Sequence, residues 1–553
     1  MSGRASHSTL LAWSAIACAL LTAALFYGPY LARVDLFSDD VAHHVFWLYR
    51  YADPELFAGD ISVQYFLTSA PWGYRGLYAA IVPFADALQA SEWLAVLLFL
   101  VSAFLAWQIG ALLAEHASDR RMFGLLAVLA LGLLLVWSRQ QDLIAPIAFQ
   151  RAFAMPLLLF TLWGLASRRY AWVGVSWLAA ALIYPVVLPV QGLAAGLVFL
   201  RELVAARRMP PYWILNGVLG MTALAIAAFG MPIPPEIGPA YSYREAIRMP
   251  EFQAGGRLSL YGAGLFDWTR NHRTGLGWDR EILFLMGVAV VLAWRAGHIR
   301  RIPFAAWAMV SVGVGLWVAM RLFPEQLMFG LYLPNRHSRW ALGAFGMVAI
   351  AVGAGAVLEY AARRWLGRLR RPEAFLQRAV AFAAPLILVA ALLPTTLNLL
   401  GRPVDTDLEK AYAFIATLPK DTLVAAHPEL ADYVPIRSRR SVLTSTEISM
   451  AWMHSYYQVM KPRVEASLRA AYATSIDDMD AALEPHGVDV FLTGPSVWEE
   501  GSYFKPFGVL VHNLLEQGAR EGFALRNPPQ ERILFQSGEY YVLRVGACGG
   551  QGC

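Results

Sequence analysis

The sequence predicts an α-helical polytopic membrane protein of about eleven spans, followed by an extracytoplasmic α/β domain. Three observations lead there. Of 553 residues, 58% are hydrophobic and only 15% charged, with a mean hydropathy of +0.46, whereas soluble proteins carry about 25% charged residues. Apolar stretches long enough for a bilayer, about 20 residues each, recur from the N-terminus to residue 398. Arginine clusters occupy every second link between them, as the positive-inside rule requires. This composition excludes a cytosolic enzyme, a disordered chain and a fibrous repeat.

The expected spans are 9–33, 91–116, 122–137, 152–167, 170–184, 186–203, 212–231, 281–297, 303–321, 340–360 and 376–398. The first is too long for a signal-peptide core and no small-residue cleavage site follows it, so it reads as a retained span. Tyr184, Pro185 and Pro189 break the run 170–203 into a tight hairpin. With Arg4 inside, the cytoplasmic links carry Arg120/Arg121, Arg168/Arg169, Arg201/Arg207/Arg208, Arg295/Arg300/Arg301 and Arg363/Arg364/Arg368/Arg370/Arg371. Links 34–90, 138–151, 232–280 and 322–339 then face outward, and an odd number of spans places 400–553 outside as well. The division is therefore 1–399, a membrane domain with long outer loops 34–90 and 232–280, and 400–553, a soluble domain. Within the first loop, Leu77–Leu88 is apolar enough for an interfacial or re-entrant helix.

In the last 150 residues, Thr422–Ala426, Ser441–Thr444, Val488–Thr493 and Glu539–Arg544 are β-branched or aromatic strand candidates. Segments 407–418, 446–473 and 476–486 have helical spacing. Strands alternating with helices predict a small, partly parallel sheet. Three cysteines, Cys18, Cys548 and Cys553, cannot make a disulfide framework or a zinc site. The surplus of 45 basic over 40 acidic residues is dispersed among the links, which argues against nucleic acid as a partner. No Walker A, dinucleotide-binding glycine fingerprint or HExxH motif is present, and there is no internal repeat.

Chemistry concentrates at one membrane face. Where the first span ends, Asp39 and Asp40 are followed four positions on by His43 and His44, so helical geometry would pair Asp39 with His43 and Asp40 with His44. A carboxylate at a membrane boundary suits a general base. The same four residues alternatively suit a divalent cation, Mg or Mn, and Ser38–Asp39 alternatively reads as a helix cap. Gln150-Arg151 and Leu333-Pro-Asn-Arg336-His337-Ser-Arg339 put arginines on the side where topology disfavours them, which points to an anion, since the guanidinium fork matches phosphate. Arg75, in an aromatic stretch of the first loop, is a further phosphate candidate, and Gln150, His43, His44 and His337 are supporting candidates. Glu251, Arg257, Asp267, Arg270, His272 and Arg273 in the second loop show no recognisable arrangement, whereas Glu447, Trp452, His454, Tyr456 and Tyr457 in the C-terminal domain share one expected helix, as they would in a helix packing down onto the membrane face.

An acidic pair directly after span one, many spans and a C-terminal outer α/β domain resemble the GT-C superfamily of membrane glycosyltransferases. That superfamily includes protein O-mannosyltransferases, the lipid A aminoarabinose transferase and oligosaccharyltransferases. Gln150-Arg151-x-x-x-x-Pro156-Leu157 and Leu333-Pro334-x-Arg336 look like features of bacterial proteins of this type. The second acid is Asp rather than Glu, and no WWDYG-like motif is present, a departure from the oligosaccharyltransferase branch. The resemblance implies an inverting transfer of a sugar from a polyprenyl-phosphate donor to a glycan, lipid or protein acceptor on the outer face of the cytoplasmic membrane. In that reading Asp39 and Asp40 are catalytic, and Arg151, Arg336, Arg339 and Arg75 hold the donor phosphate, with a cation optional. A lipid-linked-sugar flippase predicts charges inside the spans, which are nearly free of them. An O-antigen ligase or polymerase would gather its Arg and His in one late loop, and a non-catalytic scaffold would tolerate Asp39→Asn.

Overall fold

The computed structural model describes residues 2–33, 35–36, 40–116, 119–137, 143–209, 211–260, 273–365, 372–498 and 503–546. Asp39, Arg139, Asp267, Arg270, His272, Cys548 and Cys553 fall outside them; Cys18 is a free, buried thiol.

Each of the eleven apolar segments carries a helix. They are α1 (Ser2–Thr22, continued by a π turn and Gly28–Ala32), α2 (Ala87–Leu112), α3 (Arg120–Trp137), α4 (Ala154–Ala166), α5 (Ala171–Ile183), α6 (Leu188–Ala206), α7 (Trp213–Phe229), α8 (Arg280–Arg295), α9 (Phe304–Leu322), α10 (Asn335–Trp365) and α11 (Pro372–Leu400). Seven regions are long and apolar enough to cross a membrane, from α1, α2, α3, α6, α9, α10 and α11. The helices α4, α5, α7 and α8 have only 13, 13, 17 and 16 residues. Their brevity has local causes. Tyr184 precedes a proline and leaves the helical region at φ −150°, ψ 80°, because the proline ring disfavours helix in the residue before it.

Two helix starts differ from the expected ones. Asp86 accepts from Leu88 and Gln89 N–H and opens α2 at Ala87, since a side-chain carboxylate satisfies otherwise orphaned donors. The expected interfacial helix Leu77–Leu88 is therefore split, its first half ending the short helix Trp72–Ile81. α10 starts at Asn335, five residues early, directly after Pro334, and so carries Arg336, His337 and Arg339 on its first turns. α10 is buried on every face from Asn335 to Ala349, packed by α8, α9 and α3, as expected of a helix that is apolar all round.

The C-terminal segment forms one five-stranded sheet: β1 (Leu423–Ala426), β2 (Ser441–Val442), β3 (Val490–Thr493), β4 (Ile533–Ser537) and β5 (Tyr540–Arg544), in the order β2-β1-β3-β5-β4. β1 runs parallel to β2 and β3, with Val424 opposite Val490; β3–β5 and β4–β5 are antiparallel. Side chains alternate across the sheet. Val424, Val490 and Val542 join the core continuous with the membrane helices. Ala425, Phe491 and Leu543 face a second core, covered by α13 (His454–Ala471), α14 (Ile476–Leu483) and α15 (Gly508–Glu521), while α12 (Thr406–Ile415) packs on β4 and β5. β4 and α15 were not among the expected elements.

The expected helix 446–473 begins only at His454. Tertiary hydrogen bonds override its helical spacing: Thr446 N–H donates to the Pro428 carbonyl and Glu447 N–H to the Asp432 carboxylate at 2.8 Å. Tyr241 N–H bonds the Trp452 carbonyl and His454 N–H that of Pro239. Residues 446–453 thus form a loop after β2, stitched to the loop 232–280.

Candidate active site

Asp40 immediately precedes a single helical turn, Val41–His44. The turn throws Asp40, His43 and His44 together, with one ligand atom from each within 4.8 Å. The pairing differs from the expected i,i+4 one: His43 Nε2 is 3.7 Å from Asp40 Oδ1, three residues apart. Asp40 also forms an ion pair with Arg151. The Arg151 guanidinium lies 4.6 Å over Phe149, and the His44 ring stacks on the other aromatic neighbour relation available to Phe149, at 5.2 Å and 13°.

The second half of the site comes from the loop 232–280 and the loop after β2. Glu447 forms an ion pair with Arg257, and its other oxygen is 3.1 Å from His43 Nδ1, without the alignment of a hydrogen bond. Glu447 is 5% exposed. His43 is therefore flanked by a carboxylate on each side, Asp40 from the first loop and Glu447 from the loop after β2. Burial by itself would raise the Asp40 carboxyl, but Arg151, His43, His44 and Arg336 outweigh it and hold Asp40 well below the usual carboxylate range. Glu447 is lowered in the same way, burial being outweighed by His43 and Arg257. Burial pushes the His44 ring far down, so it stays neutral.

These residues line one cavity of about 870 Å³. It lies where α1, α5 and α7 finish and where α4, α6 and α10 begin, on the membrane face that carries the sheet. Five arginines, Arg151, Arg257, Arg273, Arg336 and Arg339, face it against two carboxylates, Asp40 and Glu447. Arg336 is 9% exposed; its Nε and Nη1 are buried with no hydrogen-bond partner, and its guanidinium lies 5.9 Å from the Trp340 ring. An unmade bond to a buried charged donor is costly, so the arrangement suits an incoming anion. Arg339 is three residues on along α10 and shares that wall. Burial lowers Arg273 to about 10.

Of the expected site residues, Asp40, His43, His44, Gln150, Arg151, Arg336 and Arg339 line the cavity. Two others are not among the lining residues. Arg75, on the helix Trp72–Ile81, is near enough to Tyr51 to act on its hydroxyl. His337 is on the opposite side of α10 from Arg336 and Arg339, and its Nε2 donates to the Leu331 carbonyl at 2.8 Å. Arg257, Arg273 and Glu447 had no signal in their spacing, since they meet only through loop packing.

The cation test is a matter of charge. One carboxylate and two imidazoles form a reasonable donor set for Mn, less so for Mg. As arranged, however, Asp40 is committed to Arg151, and among the described residues five guanidiniums face two carboxylates, a balance that favours an anion over a further dication. The cavity fits an anion.

No family model matches the chain, and no curated protein matches it. Among solved structures, the Archaeoglobus fulgidus oligosaccharyltransferase tethered to an acceptor peptide containing the NVT sequon is similar at 14% identity and a TM-score of 0.43, covering 92% of this chain and 72% of that one. The same enzyme in its apo form gives the same figures. AglB from A. fulgidus, in complex with an inhibitory peptide and a dolichol-phosphate, is similar at 13% identity and a TM-score of 0.40, covering 88% and 69%. At that distance only the site's own geometry can support a function.

Proposed function

We propose that this protein is a GT-C-type membrane glycosyltransferase that moves a sugar from a polyprenyl-phosphate-linked donor to an acceptor on the outer face of the cytoplasmic membrane. The supporting observation is the arginine-rich cavity at the ends of the apolar helices, with Arg336 buried there and two of its N–H groups unpartnered. A lipid-borne phosphate would reach it laterally from the bilayer, and fixed guanidiniums are suited to the charge that develops on a departing phosphate.

In the proposed reaction an acceptor hydroxyl attacks the anomeric carbon, the carbon–oxygen bond to phosphate breaks, and the lipid phosphate leaves with the bonding pair. Arg336, Arg339 and Arg151 hold the leaving phosphate. Asp40, paired with Arg151 and low in basicity, orients the groups around it. Asp39, its neighbour in sequence, takes the acceptor proton, and the inverting outcome follows from a single displacement. Eleven crossings, with the N-terminus cytoplasmic and residues 400–553 outside, belong to the same proposal. So does the division at residues 399 and 400.

The test is release of label from a panel of radiolabelled polyprenyl-phosphate and polyprenyl-diphosphate sugars by purified protein in lipid nanodiscs. Turnover by the wild type, with Asp39→Asn and Arg336→Ala inactive but folded, is the expected result. Saturable lipid binding with no turnover of any donor would instead indicate a flippase or a scaffold.

A further inference from the structure

The connection between α9 and α10 holds two bulky aromatics in the left-handed region, Phe329 at φ 70° and Tyr332 at φ 73°. Side chains of this size avoid that conformation, and backbone held there persists only where its surroundings over-determine it. Here they do. Phe329 N–H donates to the Tyr332 carbonyl at 3.0 Å and Tyr332 N–H to the Phe329 carbonyl at 3.2 Å, closing a two-residue turn over Gly330 and Leu331. Leu331 N–H bonds the Leu327 carbonyl at 2.9 Å, and the Leu331 carbonyl receives His337 Nε2 from α10.

The strap is thus rigid, and both strained rings line the cavity. Phe329 and Tyr332 flank Trp452, with ring centroids 5.5 and 6.4 Å away. Tyr332 remains 38% exposed, its ring only partly covered by these contacts. A glycine would take the same turn without steric strain, so what the tyrosine adds is a ring at the cavity wall, beside the arginines.

We propose that the Phe329–Tyr332 strap and Trp452 form a pyranose-binding subsite, with His337 as its positioning residue. A pyranose presents a face of C–H bonds that packs on aromatic rings, and the neighbouring guanidiniums supply donors for its hydroxyls. The proposal rests on the glycosyl-transfer reading for its choice of ligand. The sugar belongs either to the lipid-linked donor or to a glycan acceptor.

The experiment presents purified protein in nanodiscs to an array of immobilised mono- to tetrasaccharides, comparing wild type with Tyr332→Phe, Tyr332→Leu and Tyr332→Gly. Binding by the wild type is expected, retained in Tyr332→Phe and weakened about tenfold in Tyr332→Leu and Tyr332→Gly, one aromatic contact being worth roughly that factor. Tyr332→Gly should also unfold at no lower temperature than Tyr332→Leu, because it relieves the backbone strain that the leucine retains. Displacement of the bound glycan by a polyprenyl-phosphate sugar, and not by sugar-free polyprenyl phosphate, assigns the subsite to the donor; simultaneous binding assigns it to the acceptor. Wild-type binding by Tyr332→Leu, no glycan bound by the wild type, or an effect of Tyr332→Leu confined to the lipid chain overturns the proposal. Glycan binding that depends on Tyr332 in a protein without transfer activity would leave the subsite standing and remove the enzyme reading.

Discussion

Replacing Arg336 by methionine should make the protein more stable and less able to bind phosphate. Two buried guanidinium nitrogens, Nε and Nη1, have no partner among the described residues, and each such group costs about 1–3 kcal/mol. Methionine is of similar length and brings no donor. It forfeits the contact with Trp340 at 5.9 Å, a cation–π interaction worth about 0.5–1 kcal/mol. The balance is a stabilisation of about 3 kcal/mol in the ligand-free protein, taking the middle of these ranges. When phosphate is bound, the same two groups would make charge-assisted hydrogen bonds of about 1.5–3 kcal/mol each. Their loss weakens affinity by at least about a hundredfold. Both effects are read on one preparation in nanodiscs, the first as the thermal midpoint without lipid and the second by titration with polyprenyl phosphate. A lower midpoint together with unchanged phosphate affinity would refute the assignment of Arg336 as an anion anchor, since that combination describes a residue that serves packing alone.

Arg257→Ala should leave Glu447 buried against His43 alone and cost about 3–5 kcal/mol, as does breaking a buried pair from one side; faster amide exchange across 446–453 would register it, and unchanged protection there would count against the pairing. Gly277 sits at φ +92°, where an added Cβ would come 2.8 Å from Arg339 Cβ. Gly277→Ala is expected to cost about 1–3 kcal/mol in backbone strain and to weaken phosphate binding by displacing Arg339, so wild-type affinity in that variant would remove Arg339 from the anion site. His427 follows β1, and burial lowers it to about 4. Being lower in the folded state than the ordinary histidine value, it contributes stability that is complete above about pH 6.5 and is lost as pH falls toward 4, about 3 kcal/mol in all. Unfolding of the C-terminal sheet followed against pH should show this loss in wild type and not in His427→Leu; equal pH dependence in the two would refute it.

Much of the helical layer was legible because its determinants are local. An apolar stretch of bilayer length has few other conformations available once its backbone must satisfy itself, and the eleven segments expected from hydropathy each carry a helix. Asp40, Arg151, Arg336 and Arg339 were legible for a related reason: charge at the end of an apolar run is conspicuous against its surroundings. Other placements were not legible. His337 lies between Arg336 and Arg339 in sequence, but at a helical periodicity of 3.6 residues it leaves their wall and bonds the Leu331 carbonyl, and Arg75, which shares its loop with the acids, is not among the lining residues. Residues 446–453 have helical spacing, and hydrogen bonds to Asp432 and Pro428 hold them as a loop instead.

The sequence by itself therefore determined the apolar helices, the alternation of arginine-rich links, most of the small sheet and the membrane face on which polar chemistry gathers, because each depends on composition or spacing within a few turns of chain. Tertiary structure alone decided which charges meet. Arg257 and Glu447 are separated by 190 positions and Asp40 and Arg151 by 111, and no periodicity relates such pairs. Their encounter depends on how the long loops and the loop after β2 close over the ends of the helices, where burial gathers scattered charges into one site whose described residues carry more positive than negative charge.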